Sequence, residues 1–325
     1  MIHAMVVDAI GGPEAMQWRP HDPGEPGPRE LRVRQTAAGL NFIDVYFRNG
    51  TYKAPSFPFV PGKEGAGVVV AVGGEVSDFA PGDRVAYSAA NGTYAEEINV
   101  SAASAVRIPE GIADEVAAGI MLKGMTAEYL LRRTFPVGPG HTVLIHAAAG
   151  GVGLIAGQWA KHLGATVIGT AGSDEKVRLA LEHGYDHVVN YRTEDFVERV
   201  AAITDGARCD VVYDSVGRDT FPASLDCLKR RGLFVSFGQS SGTIQNFDLA
   251  LLNQKGSLYT TRPSLFGYTA TREELDESAA ALFEVVRSGA VKVRIDQRYP
   301  VQDAARAHED LEGRRTTGIS ILTVG

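Results

Sequence analysis

The chain has 325 residues, 44% hydrophobic and 22% charged, with 32 basic side chains against 39 acidic. That length and balance predict a globular protein of two domain-sized units, and the net charge of −7 argues against a large nucleic-acid or membrane-facing surface. No run approaches the roughly 18 apolar residues that a membrane-spanning helix needs, and two cysteines, Cys209 and Cys227, are too few for a cysteine-only zinc lobe.

The start MIHAMVVDAIGG has too short an apolar run for a secretory leader. The expectation is a cytoplasmic protein that keeps both cysteines in its core. The first third reads as β-structure. LRVRQTAAGL, AGVVVAVG, DRVAYS and YAEEINV are short alternating or apolar runs, separated by the turn clusters PGEPGP, PGKEG, VSDFAPGD and AANGT. Strands and turns at such close intervals predict a partly open barrel or sandwich.

From about residue 124 the pattern changes to alternating strands and helices: TVLIHA, GVGLIAGQWAKHLG, ATVIGTA, SDEKVRLALEHG, HVVNY, EDFVERVAAITDG, CDVVYDSV, FPASLDCLKRRG and LFVSFG. Unbroken Val, Ile and Leu strands, each followed by a helix, predict a parallel sheet covered on both faces. One more strand, GSLYTTR, precedes the helix REELDESAAALFEVVRSG, and the chain closes on the strand-like runs VRIDQRYP and ISILTV. The two ends, 1–123 and 262–325, are therefore assigned to one domain and the middle, 124–261, to another.

The strongest local signal lies in HTVLIHAAAGGVGLIAGQWAKHLGA, residues 141–165. Its loop fits G-x-G-x-x-G with Ala148 in the first glycine's place, followed by Gly150, Gly151, Val152 and Gly153. Gly150 lets the backbone approach a pyrophosphate, Gly153 lets the helix pack closely on the strand, and the helix N-terminus offers N–H groups to phosphate. A tight strand–helix turn in some other α/β protein is the competing reading. An NAD site places an acid about 20 residues on, where this chain reads Thr170, Ala171, Gly172, Ser173. Asp174 and Glu175 suit the first turn of the next helix. Gly172, Ser173, Lys176 and Tyr191, with Arg192 nearby, instead suit a ribose 2′-phosphate. The cofactor expected is NADPH; a solvated Lys176 on a helix face is the alternative.

The strings GLNFIDVYFRNG, VPGKEGAGVVVAVG, KGMTAEYLLRR, HAAAGGVGLIAGQWAKHLGA, VVYDSVGRDTF and NQKGSLYTTRPSL resemble those of bacterial NADPH:quinone oxidoreductases. These form the zeta-crystallin-like branch of the zinc-free medium-chain dehydrogenase/reductase superfamily, and the resemblance runs from about residue 4 to residue 322. It implies an α/β fold with a GroES-like β-barrel catalytic domain and a Rossmann domain of doubly wound parallel sheet. It also implies a homodimer joined through the Gly256–Arg262 strand, and hydride transfer from NADPH to a small-molecule quinone.

The resemblance also accounts for PGKEGAG. No G-x-x-x-x-G precedes the lysine and no Ser or Thr follows it, so this is not a phosphate loop. In the zinc-dependent relatives the matching turn carries His-Glu with the His on the metal; here the position is Lys63, and a ligating cysteine is matched by Asn41. A protonated lysine has no lone pair and an amide is a poor zinc ligand, so no metal is expected. Lys63 is read as a structural or pocket-polarity residue.

A quinone is already electron-poor, so positioning carries much of its reduction. The resemblance gives Asn41, Tyr46 and Tyr52 to the substrate, and Asn41 and Tyr46 also to the nicotinamide. Thr126, Val216, Phe237, Gly238, Ser240, Arg262 and Arg314 are given to the cofactor, several of them beyond the carboxyl ends of strands where α/β sheets bind ligands. The plain alternatives are a packed aromatic for Tyr46, a helix cap for Thr126 and solvated faces for the arginines. His146 is read as satisfied at its strand end, and Asp44 as a helix or interdomain residue. Two other functions stay open: an NADPH-dependent reductase of activated C=C bonds, and a crystallin-like structural or RNA-binding protein.

Overall fold

The computed structural model describes residues 1–88 and 91–325. Ala89 and Ala90, which open the AANGT turn, lie outside the described residues. The chain divides into two compact units, Met1–Met125 with Thr269–Phe283 and Val293–Gly325, and Thr126–Tyr268 with Glu284–Lys292.

In chain order the first stretch runs β1 (Ile2–Val7), β2 (Met16–His21), β3 (Glu30–Gly39), α1 (Phe42–Arg48), β4 (Glu64–Val72), β5 (Arg84–Ser88), β6 (Glu97–Ser101), β7 (Ala105–Arg107) and α2 (Asp114–Tyr129). The middle continues with β8 (Thr142–Ile145), α3 (Gly151–His162), β9 (Thr166–Ala171), α4 (Asp174–Leu181), β10 (His187–Asn190), α5 (Phe196–Ile203), β11 (Cys209–Asp214), β12 (Leu228–Ser236), α6 (Ala250–Gln254), β13 (Tyr259–Thr261) and α7 (Leu265–Tyr268). The chain ends with α8 (Arg272–Arg287), β14 (Ile295–Pro300), α9 (Ala304–Glu312) and β15 (Ile319–Thr323).

In the first unit β1 and β2 form an antiparallel ribbon, and a seven-stranded sheet takes the order β14-β15-β3-β4-β5-β7 with β6 also on β3. The pairing of β15 with β3, Ile321 opposite Gly39, ties the two chain ends into one unit. Alternation in β3 buries Leu31 and Val33 with Val69, Val85, Ile98 and Val100. Gln35 continues the inward series as a satisfied polar group. Its amide donates to the Thr93 and Ala95 carbonyls at 2.8 and 2.7 Å and its oxygen accepts from the Tyr87 hydroxyl at 2.7 Å.

The second unit holds a six-stranded sheet in the order β10-β9-β8-β11-β12-β13, with every pairing parallel. That is the doubly wound order whose direction reverses beside the first strand, where ligands bind. Both cysteines are fully buried in its core with Leu144, Ile168 and Phe234.

Three expectations are corrected. FPASLDCLKRRG is not a helix: only a 3-10 turn covers Ala223–Cys227, and Leu228–Arg231 already belong to β12, where the exposed Lys-Arg-Arg run imitates a helix's polar face. The strand expected over Gly256–Arg262 spans only Tyr259–Thr261, because Gly256 and Ser257 take left-handed φ of +114° and +54°. Thr126 lies inside α2 and so cannot cap a helix. That helix carries no clear periodic signal because residues all round it are buried, among them Ala117, Ala118, Ile120, Met121 and Met125.

Candidate active site

The turn from β8 into α3 shows why glycines stand where they do. Gly150 is the N-cap of α3 in extended conformation, and no side chain caps that helix end. Its amide closes a turn on the Ala147 carbonyl at 2.9 Å. A Cβ on Gly153 would lie 2.6 Å from the Ala148 carbonyl oxygen, so only glycine lets the helix start this close to the strand. Bare helix N–H groups beside a glycine loop are an anion site.

At the ends of β9 and β10 a second polar corner forms. Ser173 caps α4, its hydroxyl accepting from the Lys176 backbone N–H at 3.3 Å. Gly172 passes under Tyr191, whose hydroxyl would lie 2.5 Å from an added Cβ. Asp174 accepts from the Asn190 amide at 2.7 Å. Gly172, Ser173, Lys176 and Tyr191 thus come together, while Asp174 is engaged by Asn190.

Beyond β11 and β12 one buried carboxylate organises the loops. Asp214 Oδ1 accepts from the Val216 and Gly217 amides at 2.8 and 2.9 Å, and Oδ2 from the Thr220 and Ser224 hydroxyls at 2.7 and 3.1 Å. The Phe237 and Gly238 amides bond the Asp214 carbonyl at 2.9 and 3.3 Å, and the Ser240 amide bonds Ser215 at 3.1 Å. Arg262 donates to the Ser236 and Gly238 carbonyls at 3.1 and 3.3 Å and to Gln239 Oε1 at 2.9 Å. His146 spans Thr170 at 2.8 Å and Ser224 at 2.9 Å, satisfied as expected, and burial holds its pKa down. Since Ser224 donates to Asp214, this is a locked scaffold and not a nucleophilic triad.

Thr126 bonds the hydroxyl of Tyr129, which burial pushes up and the nearby Arg262 cation pulls down. Tyr129 stacks on Tyr268 at 4.5 Å. Arg314 lies in the first unit, in the turn after α9, with a left-handed φ of +57°.

The first unit gathers the remaining candidates around α1. Asn41 and Asp44 make a capping box, and the Asn41 amide donates to Glu64 Oε1 at 2.8 Å. Glu64 is fully buried, bonded also to the Leu122 amide at 2.6 Å and paired with Lys123. Tyr46 meets Tyr52 edge-on at 5.2 Å, Tyr52 meets Phe47 at 5.7 Å, and the Lys63 ammonium lies 4.7 Å from the Phe47 ring centre. Asp44 Oδ2 accepts from the Asn41 backbone N–H and the Tyr94 hydroxyl, both at 3.0 Å, and burial pushes its pKa up to about 7. Tyr94 continues to His308 at 3.2 Å, His308 to Arg48 at 3.0 Å and Arg48 to Glu312 at 2.7 Å. Burial, then the Arg48 guanidinium, push His308 down to about 3.

Sequence reasoning missed Asp214, Ser224, Tyr129, Tyr94, His308 and the Glu64–Lys123 pair. Glu64 alone carried a signal, as the acid beside Lys63 in the PGKEGAG turn. A zinc ion does not fit this site: Asn41 offers its N–H₂ to Glu64, and Lys63 brings an ammonium. Among the described residues no three His, Cys, Asp or Glu side chains gather to hold a metal.

A GroES-like unit joined to a Rossmann unit defines the medium-chain dehydrogenase/reductase class. The alcohol dehydrogenase GroES-like domain family matches residues 27–134 and the zinc-binding dehydrogenase family matches residues 151–284. The chain is 52% identical to a quinone oxidoreductase of Pseudomonas aeruginosa over 97% of both sequences, and 44% identical to a 2-haloacrylate reductase of a Burkholderia species over 99% of both. Its fold matches the crystal structure of Escherichia coli quinone oxidoreductase complexed with NADPH at a TM-score of 0.97, with 51% identity over 99% of both chains. The chain belongs to the quinone oxidoreductase family of the medium-chain dehydrogenases/reductases.

Proposed function

We propose that this chain reduces quinones with NADPH and without a metal. The observation that carries the reading is the 52% identity with a quinone oxidoreductase along nearly the whole chain. When bound, NADPH supplies a hydride from C4 of its nicotinamide. The protein binds and orients. Gly150, Gly151, Val152 and Gly153 hold the pyrophosphate, and Gly172, Ser173, Lys176 and Tyr191 hold the 2′-phosphate. Thr126, Val216, Phe237, Gly238, Ser240, Arg262 and Arg314 complete the cofactor set. Asn41 and Tyr46 face the nicotinamide, and Asn41, Tyr46 and Tyr52 face the quinone, with hydroxyl donors for the oxygen that gains charge.

We assign the catalytic domain to 1–123 and 262–325 and the dinucleotide domain to 124–261. The exposed edge strand β13, with Tyr259 61% exposed, supports a homodimer formed through it. A cytoplasmic enzyme agrees with the buried free cysteines. Among the described residues no helix is long and apolar enough to cross a membrane.

The likeness to a 2-haloacrylate reductase favours one second reading, reduction of an activated C=C bond. A steady-state panel of quinones, enals and 2-haloacrylates with NADPH separates the two. The quinone reading expects kcat/KM for quinones to lead by at least about tenfold; enals or haloacrylates in the lead would replace it.

A further inference from the structure

Asn41 caps the N-terminus of α1, and three other elements meet beside it. Gly39 ends β3, Glu64 opens β4, and Leu122 and Lys123 lie in α2. Glu64 is fully buried, and a Cβ on Gly39 would overlap its Oε1, so the strand leaves a slot that the carboxyl group fills. Oε1 takes the Asn41 side-chain N–H₂ at 2.8 Å and the Lys123 ammonium, while Oε2 takes the Leu122 backbone N–H at 2.6 Å. Every one of these partners is a donor, so Glu64 accepts on both oxygens.

That arrangement tells the two ends of the Asn41 amide apart. Its nitrogen must face the carboxyl oxygen, and the second hydrogen on that nitrogen reaches the Gly39 carbonyl at 3.4 Å. Both N–H bonds are thus committed inside the protein. The side-chain oxygen takes the Asp44 backbone N–H of the capping box and keeps one lone pair. Asn41 is 6% exposed, and what that small surface can offer a bound molecule is an acceptor. A quinone oxygen is itself an acceptor and gains nothing from it. A phenolic hydroxyl donates, and a hydroquinone carries one at each end.

We propose that Glu64 is a positioning residue that fixes Asn41 as an acceptor, and that the group accepted is the phenolic hydroxyl of the reduced quinone. The proposal rests on the quinone-reductase reading above. Lys123 shares in it by holding the Glu64 carboxyl group from α2. Glu64→Gln reverses the arrangement. The new amide gives its oxygen to the Leu122 N–H and turns its N–H₂ toward position 41, so the Asn41 oxygen swings inward and its N–H₂ outward. Combining Glu64→Gln with Asn41→Asp restores an outward oxygen. The carboxylate placed at position 41 accepts from the new amide, still suits a helix N-cap and keeps a negative charge beside Lys123.

The test is equilibrium dialysis of the full chain, saturated with NADP+, against 1-naphthol and against 1-methoxynaphthalene, which has no hydroxyl hydrogen. The parent binds 1-naphthol at least about tenfold tighter than the ether. Asn41→Ala and Glu64→Gln each bring that ratio to within about twofold of unity, and the exchange pair returns it to at least about fivefold. A merely structural Glu64 would weaken phenol and ether alike, so a parent-like ratio in Glu64→Gln overturns the proposal. A parent that binds both molecules equally overturns it too, as does a folded exchange pair whose ratio stays at unity. If Glu64→Gln does not fold, Asn41→Ala and the exchange pair decide. Oxidation of NADPH by 1,4-naphthoquinone in the parent tests the earlier reading separately. No turnover would end that reading, whereas turnover without a preference for 1-naphthol would end only the assignment of Glu64 and Asn41.

Discussion

Asp44 ionises at 3.8 in its ordinary state and at about 7 in the fold, because burial disfavours its charge. Between those values the native state holds a proton that the unfolded chain has released, so stability declines as pH rises from the lower to the higher. Asp44→Asn has no charge to bury. Relative to the parent, its stability by urea denaturation should rise between pH 5 and pH 8 by on the order of 2–3 kcal/mol; an unchanged difference would show that Asp44 is ionised throughout. His308 works the other way, since a buried neutral imidazole held down to about 3 loses stability as pH falls below its ordinary 6.5. At this scale the sequence is legible only where partners are close along the chain. Ser173 and Lys176 are three positions apart, whereas Tyr94 and His308 meet across 214. Lys176→Ala should cost NADPH at least about tenfold in affinity and leave NADH nearly unchanged, as read by fluorescence titration; equal losses for both would remove the 2′-phosphate assignment.

Loop and helix at α3 act as one element. A methyl group at Gly153 meets the Ala148 carbonyl, so Gly153→Ala should lower stability by about 1–3 kcal/mol and weaken NADPH binding. Thermal melting and the same titration check it, and an unperturbed variant would mean that the loop has slack. The element was readable in sequence because Val143, Leu144 and Ile145 form an unbroken strand and a glycine run follows directly. α2 and α9 were not. α2 is apolar on every side, and α9 buries only Ala304, Ala307 and His308, with the histidine's place in the core decided by Arg48 and Tyr94 from elsewhere in the fold. Lys229–Arg231 misled for the same reason: charge at a strand's exposed start has no period of its own.

For the molecule as a whole, strand–turn spacing gives way to strand–helix alternation near residue 124, and the proposed domain split is placed there. The partnership of the two ends depends on β15 finding β3, which no local pattern encodes. The β13 edge carries the prediction of assembly. Sedimentation equilibrium should find a dimer at micromolar concentration, and Tyr259→Lys, which puts a charge on an edge residue 61% exposed, should shift it to monomer. A monomeric parent would remove the edge-strand assembly.

The most direct measurement of an NADPH-dependent enzyme is equilibrium titration of the purified chain with NADPH and with NADH, followed by fluorescence. The account predicts NADPH binding at least about tenfold tighter than NADH. Equal affinity would contradict the 2′-phosphate corner formed by Ser173, Lys176 and Tyr191, and failure to bind either nucleotide would contradict the enzyme itself.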